Sequence, residues 1–324
     1  MFTQNDIEIS ILIPVYNAEP YLKKCIDSIL QQEIESYEIV ILDDGSVDNS
    51  GIIADEYERN NSKIRVYHQE NQGIVYTRCR LLELARGNYI GWIDADDYIE
   101  KNMYKRLYEM IKEHNAEMAY CNYSFYPSSI KGKNKWFKPY KGVVDWKLLS
   151  QNTQQWNKLV SHRLLQRLNM KQLIQECGEG AYAFVFIFAN GIVSTDECLY
   201  MYRVGHDSIS ANRKNVAWYE ENVNKTKRQL TAAKQLDVGN EMVMYFEYWL
   251  IFSIIQLLVV ASNAHDKEMY KKARQWLLAQ NPSSNKYTKM VMDTNYGALK
   301  SFLLRRGIPS NYHIANIITK VGAH

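Results

Sequence analysis

Segments rich in apolar residues alternate with amphipathic segments through the first hundred residues of the chain. Nearly continuous apolar character predicts strands over residues 9–14, 37–46, 64–70 and 89–93. Apolar positions that recur every three to four residues predict helices over residues 21–30, 48–60 and 74–85. Apolar strands that alternate with helices are typical of a mostly parallel sheet covered on both faces. The chain is therefore expected to have an α/β fold.

Polar side chains follow the ends of the predicted strands. In open parallel sheets, ligands bind in the crevice at the carboxyl ends of the strands. Three strand ends and one following loop supply polar residues to that crevice, namely Tyr16, Asn17, Asp43, Asp44, Asn71, Asp94 and Asp96. No GxGxxG fingerprint follows the first strand, where Pro14 and Asn17 stand instead. This argues against a dinucleotide-dependent oxidoreductase.

Three acidic residues, Asp94, Asp96 and Asp97, follow the fourth apolar segment. If the strand continues through them, Asp94 and Asp96 project on one side, while Asp97 falls where the chain turns. Unpaired carboxylates in such proximity repel one another, and a hard divalent cation with oxygen ligands is their natural partner. The alternative is that Asp96 or Asp97 caps a helix predicted over residues 98–114.

The later chain is less regular. Residues 156–170 are predicted to form a helix, and residues 192–203 a strand pair or an extended segment. Beyond about residue 212 the pattern is helical to the end, with breaks near Pro282 and Pro309. Two regions are therefore expected, 1–212 and 213–324. The second would serve acceptor, membrane-surface or oligomer contacts, and Trp249 and Phe252 mark a candidate homodimer face.

Bulk properties narrow the class of protein. The net charge of +3 over 324 residues gives no global field for nucleic acid. Five cysteines without CxxC spacing favour reduced thiols, and residues 1–10 lack the features of a secretory signal. The apolar stretch 248–261 is shorter than the ~20 residues of a spanning helix. We therefore expect a cytoplasmic protein, with that stretch buried or lying against the inner face of the membrane.

Four sequence blocks resemble the family 2 glycosyltransferases with a GT-A fold, which are inverting enzymes that use nucleotide sugars. The blocks are "ILIPVYNAEPYLKKCIDSILQQ", "YEIVILDDGSVDNS", "ENQGIVYTR" and "ARGNYIGWIDADDYI", in that order within the first hundred residues. The resemblance resumes in "WNKL" at 156–159 and "LYMYRVGHDSIS" at 199–210. It implies a nucleotide-sugar domain over residues 1–212, of the type that builds bacterial polysaccharides or glycoprotein glycans.

The resemblance also implies roles for individual residues. Asp44 would accept the uracil N3 hydrogen, Tyr16 would stack in the uracil and ribose pocket, and Arg78 would neutralise the diphosphate. Asp43 would either bind the donor or hold the Gly45-Ser46 turn, and the alternative for Arg78 is a surface position on its helix. The implied UDP-sugar-binding residues are Pro14, Tyr16, Asn17, Asp43, Asp44, Asn71, Gly73, Arg78, Asp94 and Ala95.

A metal ion and a base complete the implied site. Asp96 would bind Mn²⁺ or Mg²⁺ bridging the two phosphates, and His206 would reach the metal or be structural. The stretch "CGEGAYAFVF" matches the position of the usual Glu-Asp pair, so Glu179 would be the base, although Gly180 stands where relatives carry the aspartate. The alternative base is Glu176.

The function implied is transfer of a hexose or N-acetylhexosamine from a UDP-sugar to a glycan, lipid-linked saccharide or glycoprotein. The alternative, which Gly180 suggests, is a catalytically impaired partner subunit of another glycosyltransferase.

Overall fold

The computed structural model describes residues 7–127, 154–205, 215–281 and 285. The chain divides into two compact units, 1–206 and 207–324. The sequence predicted a division at 212/213.

The first half of the first unit alternates strands and helices. Most residues of β1 and β2 are aliphatic, and every residue of both strands is buried. The elements are β1 (Ile9–Val15), α1 (Glu19–Leu30), β2 (Tyr37–Asp43), α2 (Ser50–Asn60), β3 (Ile64–His68), α3 (Ile74–Leu84) and β4 (Tyr89–Trp92). The four strands and three helices predicted for this part of the chain are confirmed.

The acidic segment after β4 differs from the prediction. β4 ends at Trp92, and the Asp97 N–H donates to the Asp94 carbonyl at 3.0 Å, so residues Asp94–Asp97 form a tight turn. We call it the acid turn. The predicted helix over 98–114 is wrong in its first turn, because residues 98 and 99 form a short strand, β5 (Tyr98–Ile99), and α4 begins only at Met103.

Neither Asp96 nor Asp97 caps α4. The residue before the helix is Asn102, five residues beyond Asp97, because the pairing of β5 with a later strand keeps residues 98 and 99 extended. The capping interpretation of Asp96 and Asp97 is therefore wrong.

The second half of the first unit contains a helical segment and three strands that pair with strands distant in the sequence. Its elements are β6 (Met118–Tyr126), β7 (Lys158–Ser161), α5 (His162–Arg167), α6 (Met170–Cys177), a 3₁₀ turn (Gly178–Ala181), α7 (Tyr182–Phe188) and β8 (Ile192–Arg203). The extended segment predicted over 192–203 is confirmed. The helix predicted over 156–170 is wrong at its start, because residues 158–161 pair with both β4 and β6. It is also interrupted at Asn169, whose φ is 47°.

The eight strands found in the described residues belong to one mixed sheet in the order β3-β2-β1-β4-β7-β6-β8-β5. β1 runs parallel to both β2 and β4, and β2 runs parallel to β3. The register places Val15 beside Asp43 and Leu12 beside Trp92, so the carboxyl ends of three strands meet at one edge. The residues that follow β1, β2 and β4 are thereby brought together, as the sequence predicted.

The described part of the second unit is helical, with α8 (Val216–Gln235), α9 (Asn240–Asn263) and α10 (Lys267–Ala279). Within the described residues, α9 is the one helix long and apolar enough to cross a membrane, but 56% of its most apolar window is buried inside the protein. The apolar stretch 248–261 is part of a helix of 24 residues, so the expectation that it is too short to span a membrane is wrong. Its burial fits one of the two expected placements, a buried helix. The predicted breaks at Pro282 and Pro309 lie outside the described residues.

Candidate active site

Asp44, directly after β2, is buried and holds a loop through its carboxylate. Its Oδ1 accepts from Gln69 Nε2 at 2.8 Å and from the Gln72 N–H at 2.8 Å, while Oδ2 accepts from the Gly73 N–H at 2.9 Å. We call Gln69–Gly73 the nucleotide loop. Sequence reasoning assigned Asn71 and Gly73 to this loop but missed Gln69, which carries no motif signal of its own.

The nucleotide loop approaches β2 so closely that residue 45 has no room for a side chain. Gly45 has a φ of 72°, and a Cβ there would lie 2.8 Å from the backbone nitrogen of Asn71. The glycine therefore allows both the turn after Asp44 and the contact with the loop. Asn71 is in this way placed beside the end of β2.

Asp43 makes the contacts expected of a turn-holding residue. Its Oδ1 accepts from the Ser46 N–H at 3.1 Å, and its Oδ2 lies 3.0 Å from His68 Nδ1. His68 Nε2 lies 2.9 Å from Asp55 Oδ1. Burial lowers the pKa of His68, but the hydrogen bonds and negative charges of Asp43 and Asp55 outweigh it and raise that pKa overall. The direct role of Asp43 toward a donor stays a prediction.

The end of β1 presents an exposed ring. Pro14 is buried within β1, whereas Tyr16 is 46% exposed and its ring is open to stacking. Asn17 adopts a φ of 50° and ties this end of β1 to the turn after β2, because its side-chain oxygen accepts from the Val47 N–H at 2.9 Å. Tyr16 and Asn17 thus lie at the end of β1 beside the turn that follows Asp44, whereas Pro14 lies inside the sheet.

Arg78 connects the acid turn with the segment after α6. Its side chain is 6% exposed, which rules out the surface position considered above. One terminal nitrogen donates to Glu179 Oε1 at 2.6 Å and the other to Asp94 Oδ1 at 3.2 Å. Glu179 is 101 residues further along the chain. Arg78 therefore brings a predicted donor residue and the predicted base to one place.

The half-buried carboxylate of Asp94 lies among other charges. Burial raises the pKa of Asp94 to about 6, Arg78 opposes the rise, and Asp96 and Glu179 add to it. Burial is thus the main cause of the raised pKa, and the positive charge of Arg78 only partly offsets burial and the negative charges of Asp96 and Glu179. Ala95, between Asp94 and Asp96, is buried.

Asp97 is held by the last strand of the sheet. Its Oδ2 accepts from the Tyr200 hydroxyl at 2.6 Å, and its Oδ1 accepts from the Arg203 N–H at 2.7 Å. Burial raises the pKa of Asp97, and Asp94 and Asp96 raise it further. Sequence reasoning missed Tyr200 and Arg203, although the block "LYMYR" that contains them resembled the family.

The acid turn fits a divalent ion that is shared with a substrate. Within residues 7–127, 154–205 and 215–281, no group of three or more His, Cys, Asp or Glu residues could hold a metal ion. Mg²⁺ and Mn²⁺, however, are commonly bound by one or two carboxylates together with substrate phosphates and water. Asp94 and Asp96, two residues apart on the turn, can supply such carboxylates. His206 lies outside the described residues.

Glu179 lies in the 3₁₀ turn Gly178–Ala181, and its side chain is 68% exposed. One oxygen accepts from Arg78, and the exposure leaves the carboxylate accessible to an acceptor hydroxyl. Glu176, the alternative base, lies on α6 and accepts from Gln172 one helical turn earlier at 2.7 Å. The link through Arg78 to the acid turn therefore distinguishes Glu179 from Glu176.

Comparison with known proteins gives a family match over this region. A model described as glycosyl transferase family 2 matches residues 10–185, which is more than half of the 324 residues. Glycosyltransferase GlyA of Streptococcus pneumoniae is 33% identical over 222 residues, 63% of this chain and 32% of that protein. The uncharacterized glycosyltransferase EpsJ of Bacillus subtilis is 30% identical over 217 residues, 62% of each protein. The match thus spans less than two thirds of either relative.

Among solved structures, TarS 1-349 of S. aureus in complex with UDP-GlcNAc has a TM-score of 0.68 to this chain. The likeness covers 97% of this chain and 91% of that one at 15% sequence identity. It therefore concerns the fold, and it confirms the predicted GT-A architecture with a helical C-terminal region.

Proposed function

The chain belongs to glycosyl transferase family 2, and we propose that it is a metal-dependent inverting enzyme that transfers a hexose or N-acetylhexosamine from a UDP-sugar. One observation carries the proposal: Arg78 joins the acid turn, through Asp94, to the exposed carboxylate of Glu179. Groups suited to a diphosphate and a group suited to an acceptor hydroxyl thereby lie on either side of one buried guanidinium.

The hydrogen bonds of Asp44 support uridine as the base of the donor. A carboxylate has about four lone-pair sites, and three are taken by the nucleotide loop, two of them on Oδ1. One site remains, on Oδ2. The uracil imide offers a single N–H, whereas guanine offers two adjacent donors that would need both oxygens. The UDP-GlcNAc bound by TarS agrees with this choice.

The donor diphosphate would lie beside the acid turn, near the charge of Arg78. When bound, the metal ion would neutralise charge that develops on the leaving diphosphate. Asp96 and Asp94 would hold the ion, and Arg78 would place a fixed positive charge beside the same phosphates. Because Arg78 is buried and held at two points, it needs little reorganisation during the reaction.

Glu179 would remove the proton from the acceptor hydroxyl. In an inverting transfer the hydroxyl attacks the sugar from the side opposite the diphosphate, so the base must face the acceptor. The exposure of Glu179 and its separation from the acid turn by Arg78 suit that position. The acceptor would be a glycan, a lipid-linked saccharide or a glycoprotein. Cytoplasmic localisation, contact of the second unit with a membrane surface, and a homodimer stay predictions.

The donor proposal is tested by Asp44→Asn. The amide retains one acceptor oxygen but directs N–H donors at the nucleotide loop, and we expect affinity for UDP to fall about 10- to 100-fold. Isothermal titration of wild type and variant with UDP and with GDP measures this. Asp196→Asn, at an exposed position on β8, is the control. GDP binding as tight as UDP binding would contradict the uridine assignment, and binding of neither would contradict the proposed enzyme.

Gly180 keeps the partner-subunit alternative open, and Glu179→Gln separates the two functions. The glutamine preserves the contact with Arg78 but cannot accept the proton, so we expect transfer to fall about 10²- to 10⁴-fold while UDP affinity stays the same. UDP release from a panel of UDP-sugars measures turnover, with Glu176→Gln as the matched control. Wild type that binds UDP yet releases none from any donor would favour the partner subunit.

A further inference from the structure

The acid turn is held in place by one strand that is distant in sequence. Arg203, the last residue of β8, donates through Nε to the Asp96 carbonyl at 2.6 Å and through its backbone N–H to Asp97 Oδ1 at 2.7 Å. Three residues earlier, the Tyr200 hydroxyl donates to Asp97 Oδ2 at 2.6 Å and accepts from the Asp94 N–H at 3.3 Å. β8 therefore contacts three of the four residues of the turn.

These contacts divide the acids of the turn by role. Both oxygens of Asp97 accept hydrogen bonds from β8, and the residue is 1% exposed. Asp97 is therefore unsuited to bind an ion and is suited to anchor the turn. Asp94 and Asp96 remain half-buried on the open part of the turn. Their backbone, at the Asp94 N–H and the Asp96 carbonyl, is fixed by Tyr200 and Arg203.

The guanidinium of Arg203 is itself held by aromatic rings. It lies over Tyr21 with 4.6 Å to the ring centroid and over Tyr126 with 5.1 Å. Such cation–π contacts, together with the bond to the Asp96 carbonyl, restrict the rotamers of a long side chain. Lysine has no planar group that could stack on these rings and aim an N–H at the carbonyl at the same time.

We propose that Arg203 is a positioning residue that, with Tyr200 and Asp97, fixes the acid turn so that Asp94 and Asp96 are arranged in advance for a metal–diphosphate complex. The proposal rests on the proposed function, because Arg203, Tyr200 and Asp97 would position the metal–diphosphate site of that function. Groups that orient metal ligands typically contribute 10- to 100-fold to metal affinity. The base-binding contacts of Asp44 do not involve β8, so metal-free nucleotide binding should not depend on Arg203.

The test measures two affinities in the full chain. Binding of Mn²⁺ in the presence of UDP is followed by the electron paramagnetic resonance signal of free Mn²⁺, and binding of UDP in EDTA by titration calorimetry. For Arg203→Met we expect Mn²⁺ affinity to fall 10- to 100-fold, with metal-free UDP affinity within twofold of wild type. Arg203→Lys should not restore Mn²⁺ affinity. Arg106→Met is the control, because Arg106 also contacts β8, through Glu197 at 2.9 Å, but not the acid turn.

Several outcomes would overturn the inference. They are unchanged Mn²⁺ affinity in Arg203→Met, full recovery in Arg203→Lys, and an equal loss of metal-free UDP binding. If Arg203→Met does not fold, Tyr200→Phe decides, because it removes one hydroxyl that contacts Asp97 and Asp94; Mn²⁺ affinity should then fall severalfold, and no change overturns the inference. Wild type that binds neither UDP nor Mn²⁺ would instead contradict the proposed function, and the inference with it.

Discussion

Replacing Asp96 by asparagine is expected to lower sugar transfer about 10³-fold and to abolish the rise in melting temperature that Mn²⁺ adds to that of UDP. Asp97 is buried and both of its oxygens accept hydrogen bonds from β8, whereas Asp96 is only partly buried, so we expect Asp96 to supply a carboxylate to the ion. Asparagine keeps the shape of the side chain and removes its charge. The loss should therefore reflect weaker charge neutralisation at the diphosphate rather than a change of fold.

The effect of Asp96→Asn is measured in two ways. One is the turnover of a UDP-sugar, and the other is the melting temperature with UDP alone and with UDP plus Mn²⁺. Glu100→Gln is the matched control, because Glu100 is an exposed carboxylate three residues beyond the acid turn. UDP alone should stabilise the variant as it does wild type, since Asp44 is unaffected. A full Mn²⁺-dependent rise in the Asp96→Asn variant would show that the ion is held elsewhere.

Replacing Lys158 by methionine is expected to stabilise the protein by about 2 kcal/mol at pH 7. Lys158 is 1% exposed, its Nζ donates to Asn157 Oδ1 at 2.6 Å, and burial lowers its pKa from 10.5 to about 7, against a small opposing effect of Cys121. Folding a lysine with such a shift costs on the order of 4 kcal/mol at pH 7. Methionine removes that cost but leaves Asn157 Oδ1 without its donor, at about 2 kcal/mol.

The lowered pKa of Lys158 determines how the free energy of unfolding changes with pH. The unfolded chain keeps the Lys158 proton up to about pH 10.5, whereas the folded chain loses it near pH 7. Between these values the free energy of unfolding of wild type should gain about 1.4 kcal/mol per pH unit from this group, and the gain should vanish in the variant. Urea denaturation at pH 7, 8 and 9 measures the difference, which should shrink toward zero as the pH rises. Lys23→Met, at an exposed position on α1, is the control. A difference that does not change with pH would contradict the prediction.

Apolar patterning was sufficient for the first four strands and three helices because each of them is local. The period of the sequence decides such elements, and their order on a parallel sheet follows from the connections. The same reasoning placed Asp44 and Asp94 at one sheet edge. It failed at residues 98–99 and 158–161, which become strands only because β8, β4 and β6 pair with them.

Side-chain partners across long sequence distances could not be predicted from pattern alone. Nothing in α3 indicates that Arg78 contacts a residue 101 positions later. The spacing of Asp94, Asp96 and Asp97 likewise did not indicate that only the Asp97 carboxylate would accept hydrogen bonds from β8. The family resemblance indicated that Arg78 and the acids of the turn belong to the site, but the different contacts of each residue depend on the tertiary structure.

The hydrogen bonds from Tyr200 and Arg203 to the acid turn also bear on synthesis of the protein. The turn is made early, at residues 94–97, and its donors come more than a hundred residues later, at the end of β8. During translation from the N-terminus, the site therefore cannot close until the last strand of this unit has left the ribosome. A nascent chain that lacks β8 carries the acids without the hydrogen bonds that hold their turn.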